Sequence, residues 1–336
     1  MKTSQLVIAA LAFAILASCS SENNRSVENI LDSKFRVYQI SGHQGPKINI
    51  KNDSLAEFLT ALHYNIPLAE IENALNWSTA KTEKHINALI DNKLLEKKDG
   101  YYQPMLGIFA LDRGILLKEE AKQVANEIAD SIQNRLPEIQ KMHNEMNISQ
   151  RRDFRELSLF YLINVILDNF QIQRVEEEFL NQKRPLRNGS RYYLGIVEDH
   201  PSSNTEPFGM YGNRGLLFND SVGIYVFGNK RIKSNAGWDN HEDKNIYVFD
   251  EEDTQMIKQK MPGAFFPCLL DILNRNKPNF QATYRELGFD EEISFEEFFI
   301  FWYHWIYSET ADVLIAKDII EKPENGMFYY QVAMDY

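Results

Sequence analysis

Cysteine is scarce in this chain, which has only Cys19 and Cys268 among its 336 residues. A disulfide framework is therefore excluded as the source of stability, which has to come from packing. The N-terminal region also lacks a run that could span a bilayer. Its apolar stretch, Leu6–Ile15, is shorter than the roughly 20 residues that a membrane-spanning helix requires.

Positive charge is in shorter supply than negative charge. The chain has 36 lysines and arginines against 48 acidic residues, which gives a formal net charge of −12. Such a surface repels nucleic acid and anionic lipid headgroups. The sequence contains no nucleophile elbow, phosphate-binding loop or metal-ligand cluster, so it predicts no cofactor and no metal. The 44% of hydrophobic residues predict a globular protein.

The N-terminus carries the most informative motif. Lys2 precedes the apolar run, and Leu16-Ala17-Ser18-Cys19 follows it. A charged start, a short apolar segment and small residues before the cut are the marks of an export signal. The motif resembles the signal peptide of bacterial lipoproteins. The resemblance implies cleavage between Ser18 and Cys19, with lipid attached to Cys19, so that residues 1–18 are removed.

The resemblance also implies a location. A lipid on Cys19 would anchor the protein in the bacterial envelope, and Ser20 as the next residue predicts the outer membrane. Only Glu22 is acidic in the stretch that follows, so both a periplasmic and a surface-facing orientation stay open. With Cys19 carrying lipid, Cys268 would have no partner within the chain for a disulfide.

Residues 19–50 are interpreted as the lipid tether and a first strand. Ser20 to about Lys34 is polar and without periodicity, which is typical of a linker. Phe35–Ile40 alternates between apolar and polar residues and predicts a strand.

Residues 51–104 predict three helices and a small hairpin. Ser54 and Glu57 form a capping box for the first helix, Pro67 opens the second, and Ser78 or Thr79 caps the third. Lys98-Asp99-Gly100 then predicts a tight turn. This order resembles the winged helix-turn-helix domain of MarR-like and ArsR-like bacterial regulators.

In those regulators the third helix and the wing contact DNA. The corresponding contact face in this chain is predicted at Lys81, Lys84, His85, Lys97 and Lys98. Residues 51–104 nevertheless hold six lysines, no arginine and eight acidic residues. Because phosphate neutralisation drives most nucleic-acid affinity, DNA is not the expected partner, and a scaffold for packing or protein contacts is favoured.

The remainder of the chain is predicted to be a helical segment, 105–185, followed by a mixed α/β domain, 186–336. The apolar stretch Phe154–Phe170 predicts a centrally buried helix, and Pro137 is expected to bend or restart the helix before it. The fold class is therefore α+β: a winged-helix domain, a helical middle segment and a mixed α/β C-terminal domain.

Two further motifs favour structural roles. Asp239–Asn245 together with Asp250 is similar to a calcium loop, but Lys244 occupies the position that needs glycine, so a polar loop is predicted. A helix over Ser294–Ser308 has aromatic side chains at helical spacing, which predicts a buried stripe with His304 as a core histidine. Glu296, Glu297 and Glu309 are expected at its polar positions.

The sequence thus favours a lipid-anchored envelope protein that acts as a non-catalytic binding or assembly module. Its predicted partners are the membrane, through the lipid, and an envelope protein or glycan. Two alternatives stay open. One is an enzyme that acts on an envelope polymer through carboxylates of the α/β domain. The other is a winged-helix DNA-binding regulator whose N-terminus does not act as a signal.

Overall fold

The computed structural model describes residues 25–41, 45–198, 210–230, 244–323 and 326–334. Over these ranges the protein is α+β, as predicted. The chain divides into two compact units: unit 1 combines Met1–Phe109 with Leu186–Pro201, and unit 2 combines Ala110–Pro185 with Ser202–Tyr336. The predicted signal peptide and Cys19 lie outside the described residues.

Unit 1 begins with a short helix and a strand, which are followed by three helices and then by the remaining strands. Its elements, in chain order, are α1 (Val27–Leu31), β1 (Phe35–Ser41), α2 (Leu55–His63), α3 (Leu68–Leu75), α4 (Thr79–Asp91), β2 (Leu95–Lys98), β3 (Tyr101–Pro104), β4 (Gly107–Phe109), β5 (Leu186–Arg187) and β6 (Ser190–Glu198). Three helices followed by the β2–β3 hairpin are the order that the sequence predicted.

Strand β6 holds the sheet of unit 1 together. It pairs antiparallel with β1, in a register that sets Phe35 opposite Glu198, antiparallel with β5, and parallel with β4. The chain therefore divides differently from the predicted scheme of 51–104, 105–185 and 186–336. Residues 186–198 fold with unit 1 because their backbone groups complete its sheet.

The helix and turn signals of unit 1 are confirmed in two places and wrong in one. The Ser78 side chain accepts a hydrogen bond from the Lys81 amide and so caps α4. Asp99 and Gly100 have φ values of 50° and 91°, the left-handed backbone that a tight hairpin turn needs. Ser54, in contrast, has a φ of 54° and makes no side-chain cap, because its backbone is already turned away from the usual capping conformation.

Unit 2 is mainly helical, with one four-stranded sheet among its described residues. Its elements, in chain order, are α5 (Leu111–Asn144), a π-helix (Phe160–Val165), α6 (Ile172–Arg174), a π-helix (Val175–Leu180), β7 (Tyr211–Phe218), β8 (Val222–Asn229), β9 (Ile246–Val248), α7 (Glu251–Gln255), a π-helix (Met256–Lys260), α8 (Met261–Glu286), α9 (Phe295–Ala316) and β10 (Met327–Ala333), with 3₁₀ turns at Asn147–Gln150 and Phe289–Glu291.

The sheet of unit 2 has the order β7-β8-β10-β9. Strand β10 runs antiparallel to β8 and parallel to β9. Helix α5 continues through Pro137, so of the two expectations for that residue the restart is wrong. The predicted helix at Phe154–Phe170 is instead a wider π-helix over Phe160–Val165, and its side chains are buried as expected.

Helix α9 forms the centre of unit 2. The predicted aromatic positions Phe298, Phe299, Trp302 and Trp305 are all buried, and the Ser294 side chain caps the helix. From Glu297 to Ala311 every residue of the helix is buried, so Glu297 and Glu309 are buried as well, and their predicted placement at polar surface positions is wrong. A helix that is surrounded on all sides retains few exposed positions for its charged residues.

Candidate functional site

The predicted contact face of unit 1 is only partly a surface. Lys84, Lys97 and Lys98 are exposed, and Lys81 is half-buried with its ammonium 4.7 Å from the centre of the Trp77 ring. His85 is 9% exposed, and its ring centre lies 4.7 Å from that of Trp77. The prediction that His85 points outward is therefore wrong, because the aromatic ring of Trp77 covers it.

Burial also sets the charge of His85. It lowers the pKa of the imidazole below the ordinary value, and Lys81 and Lys84 lower it further, while Asp53 has the opposite effect. His85 is therefore neutral at neutral pH and contributes no positive charge. The contact face is reduced to lysine ammonium groups and the exposed Tyr101 of the hairpin.

A second feature of unit 1 lies where the described chain begins. The guanidinium of Arg25 donates to both carboxylate oxygens of Glu198: Nη1 donates to Oε2 at 2.6 Å, and Nη2 donates to Oε1. The Ser33 hydroxyl donates to the same carboxylate at 2.7 Å. Glu198 is only 3% exposed, so this bidentate pair fastens the start of the described chain to the end of β6.

This joint shortens the predicted tether. Residues up to about Lys34 were expected to form a linker, but Val27–Leu31 is a helix whose Val27 and Ile30 are buried in the core of unit 1. That expectation is wrong from Arg25 onward. The stretch is mostly polar, but its buried apolar residues Val27 and Ile30 are three positions apart, which places them on one face of a helix.

Unit 2 contains a buried polar cluster, which we define as Asn164, Asp168, Asn213, His304 and Tyr307. The π-helix and the turn after it supply Asn164 and Asp168, β7 supplies Asn213, and α9 supplies His304 and Tyr307. π-Helical turns occur frequently at functional sites. The cluster is therefore the strongest candidate site among the described residues of unit 2.

The histidine of the cluster has a defined tautomer. Its Nδ1 lies 2.7 Å from the carbonyl oxygen of Ile300, and a carbonyl oxygen can only accept, so Nδ1 carries the proton. Its Nε2 faces the Asp168 Oδ1 at 3.8 Å. The prediction that His304 is a hydrogen-bonded core histidine is thus confirmed for Nδ1, while Nε2 points to the carboxyl group.

Burial shifts the pKa values of Asp168 and His304 in opposite directions. It raises the pKa of Asp168 to about 7, although Lys230 and the hydrogen bonds from Tyr307 and Asn213 lower it. It lowers the pKa of His304 to about 3. At neutral pH the histidine is therefore uncharged, and its contact with Asp168 is not a salt bridge.

The cluster fastens the start of β7. Asn213 Nδ2 donates to Asp168 Oδ2 at 3.2 Å and also to Asn164 Oδ1. The Tyr307 hydroxyl donates to the Tyr211 carbonyl at 3.1 Å, and the Tyr211 amide donates to the Ser308 hydroxyl at 2.8 Å. The Asn164 Nδ2 is fully buried and has no hydrogen-bond partner among the described residues.

The sequence interpretation missed Asp168, Asn164 and Asn213. A signal was present, because Asn164 and Asp168 interrupt the apolar stretch Phe154–Phe170 four positions apart, on one face of a helix. A polar pair inside an apolar helix has to be satisfied internally, which marks a buried network. Asn213 comes from a distant strand and had no such signal.

The other predicted motifs have structural roles or lie outside the described residues. Residues 239–243 of the calcium-like loop fall outside them, and Asp250 caps α7 by accepting from the Asp253 amide. In the described ranges no group of three or more histidine, cysteine and acidic side chains is placed to hold a metal ion. None of the helices in those ranges combines the length and hydropathy needed to cross a bilayer.

Comparison of the chain with protein-family models, with curated proteins and with solved structures gave no match. Function therefore has to be argued from the residues themselves.

Proposed function

We propose that the protein is a lipid-anchored module of the bacterial envelope that binds or assembles with an envelope protein or glycan. The lipid would be on Cys19, after removal of residues 1–18, in the outer membrane. The winged-helix-like order of α2, α3, α4 and the β2–β3 hairpin would serve as a scaffold for contacts in this module.

The joint between Arg25 and Glu198 carries this proposal. Because Arg25 is fastened to β6, only Ser20–Asn24 separate it from the predicted lipid site. A chain segment of this length reaches about 20 Å at full extension. A lipid on Cys19 would therefore keep unit 1 close to the membrane surface, as suits a protein that works at the envelope.

Partner contact is supported by the exposed tip of unit 1. Tyr101, at the turn of the hairpin, is 67% exposed, and Lys97, Lys98 and Lys84 are exposed as well. Tyrosine is enriched at protein interfaces because its ring is apolar and its hydroxyl can bond to a partner. We assign the contact face to these residues, without His85.

Replacement of Cys19 by alanine tests the anchor. Cys19→Ala should abolish acylation, because the thiol that accepts the lipid is gone, and should release the protein from the membrane or leave it unprocessed. The measurement is incorporation of labelled fatty acid together with membrane fractionation. Cys268→Ala is the matched control and should keep label and membrane attachment. Unchanged label in Cys19→Ala would refute the proposal.

Replacement of Arg25 by alanine tests the joint. The variant leaves the buried Glu198 carboxylate without its cation, and we expect a loss of about 2–3 kcal/mol in the unfolding free energy of unit 1, since Arg25 is partly exposed and water can replace some of its bonds. Denaturant unfolding of Arg25→Ala and of Arg25→Ala with Glu198→Gln measures it. The second variant should recover part of the loss, and equal loss in both would contradict the joint.

The two alternatives have less support. Two of the described carboxylates between residues 190 and 250 have structural partners, since Glu198 binds Arg25 and Asp250 caps α7. A DNA-binding role would need a cationic recognition face, and the burial of His85 removes one of its five predicted members. We therefore propose the binding module alone.

A further inference from the structure

Two hydrogen-bond acceptors face each other in the polar cluster of unit 2. The lone pair of His304 Nε2 points to Asp168 Oδ1 at 3.8 Å, because the Nδ1 proton is already donated to Ile300. Both residues are 5% exposed, so water competes little for either atom. A proton on either of these two atoms would remove the repulsion between them.

We propose that Asp168 and His304 form a proton-binding site whose occupancy fastens the start of β7. In the occupied state the proton is bonded to Asp168 Oδ1 and directed at His304 Nε2. On release the O–H bond breaks, the proton goes to water, and the carboxylate keeps the electron pair. The ligand is the proton itself.

The proton removes the repulsion of this contact. With it, Asp168 is neutral, and its O–H can bond to His304 Nε2 once the two atoms close from 3.8 Å to hydrogen-bond distance, while its other oxygen accepts from Asn213. Without the proton, the buried carboxylate of Asp168 faces the lone pair of His304. The desolvation of the charge and the electrostatic repulsion then both destabilise the contact between Asp168 and His304.

The charged and titratable neighbours of Asp168 determine the pH at which it releases its proton. Lys230, at the end of β8, favours the carboxylate, whereas Tyr303 and Tyr307 of α9 and Tyr330 of β10 remain protonated because burial raises the pKa of each phenol. Arg184 acts on His304 and helps to keep it neutral. Burial outweighs Lys230 and raises the pKa of Asp168 to about 7, so release falls near neutral pH.

The same side chains connect the proton to the backbone of β7. The Tyr307 hydroxyl, which has one proton to donate, lies within reach of both the Asp168 carboxyl and the Tyr211 carbonyl, and Asn213 donates to Asp168 from two positions further along β7. A carboxylate that moves away from His304 toward Lys230 disturbs both contacts. Tyr211 and Asn213 are thus the residues expected to loosen on deprotonation.

The first test uses the unaltered protein. With isotope-labelled aspartate side-chain carboxyls, one NMR resonance should titrate with a midpoint near pH 7, far above the value of about 3.9 for an unperturbed aspartate. A set of aspartate carboxyls that all titrate below about pH 5 would overturn the proposal.

The second test follows the amide of Tyr211 by hydrogen–deuterium exchange. Asp168→Asn replaces the proton-bound carboxyl with an amide that can donate to His304 at any pH. We compare the protection factor of the Tyr211 amide in Asp168→Asn with that in the wild type. The ratio of variant to wild type should rise by up to about tenfold per pH unit between about pH 5 and pH 7, because only the wild type loses the proton, and should level off above about pH 7.

The control for this measurement is Asp253→Asn. Asp253 is another buried carboxylate of unit 2, but the amides that donate to it are those of Asn147 and Ile148, which are not part of β7. Burial raises the pKa of Asp253 too, so a ratio that changes with pH as steeply for Asp253→Asn as for Asp168→Asn would report unfolding of the whole unit and would overturn the coupling to β7. A ratio for Asp168→Asn that is independent of pH would overturn it as well.

Discussion

Trp302→Ala should lower the thermal stability of unit 2 sharply. Trp302 is 2% exposed in α9, and its indole nitrogen donates to the Leu117 carbonyl of α5 at 2.8 Å. Truncation of a buried tryptophan costs about 3–5 kcal/mol, because apolar contacts are lost and a cavity remains. Since whole domains are stable by only about 5–15 kcal/mol, this is a large fraction of the total.

The measurement is a thermal melt with two comparison variants. Trp302→Phe keeps most of the ring and loses the hydrogen bond, so its transition should lie between those of the wild type and Trp302→Ala. Tyr101→Ala, at the exposed hairpin tip of unit 1, should change stability by no more than about 0.5 kcal/mol. An unshifted transition in Trp302→Ala would mean that α9 is a surface helix, contrary to its burial.

Asp168→Asn should change how the stability of unit 2 depends on pH. The folded protein holds a proton on Asp168 up to a pKa of about 7, whereas the unfolded chain releases it near about 3.9. Between these values the folded state binds more protons than the unfolded state. The stability that this group contributes is therefore present at low pH and is lost as the pH rises from about 4 to about 7.

The contribution of His304 to stability changes with pH in the opposite direction. Its pKa is lowered to about 3 in the folded protein, against about 6.5 in an unfolded chain. Over that window the unfolded state binds the extra proton, so the contribution of His304 to stability rises with pH. In the wild type the two contributions oppose each other between about pH 4 and pH 6.5 and nearly cancel.

The variant removes one of the two opposing contributions. We expect the unfolding free energy of Asp168→Asn minus that of the wild type to increase by about 1.4 kcal/mol per pH unit from about pH 4 to pH 7, on the order of 4 kcal/mol in all. Urea unfolding across this range measures the difference. Asp220→Asn, at an exposed position before β8, is the surface control and should leave the unfolding free energy nearly unchanged. A constant difference for Asp168→Asn would contradict a neutral buried carboxyl.

Much of the fold follows from local patterns in the sequence. The caps at Ser78 and Ser294, the turn at Asp99 and Gly100, and the alternation in Phe35–Ile40 each act within a few residues, so they can be recognised without knowledge of the tertiary structure. The aromatic positions of α9 predicted burial for the same reason. The degree of burial was not predictable, because it depends on which elements surround the helix.

The remaining features depend on residues outside the local element, most of them distant in sequence. Glu198 binds Arg25 across 173 positions. Trp77 is close to His85 in sequence but lies before α4, so helical spacing within α4 does not show that its ring covers the histidine. The polar cluster assembles Asp168, Asn213 and His304 from three separate elements. A single sequence carries no sign of such pairings, so helical spacing alone assigned His85 to the surface and residues 20–34 to a linker.

The pairing of β6 with β1 and β4 constrains the order in which unit 1 can fold. β6 lies between β1 and β4 in the sheet, yet Ser190–Glu198 is synthesised only after the entire first part of unit 2. Until it emerges, β1 and β4 lack the neighbour that satisfies their backbone groups, and Arg25 lacks Glu198. Closing this long loop makes assembly of unit 1 slow relative to local helix formation. During biogenesis the N-terminal strands would therefore be open to aggregation, so a chain released early would depend on chaperones until β6 is inserted.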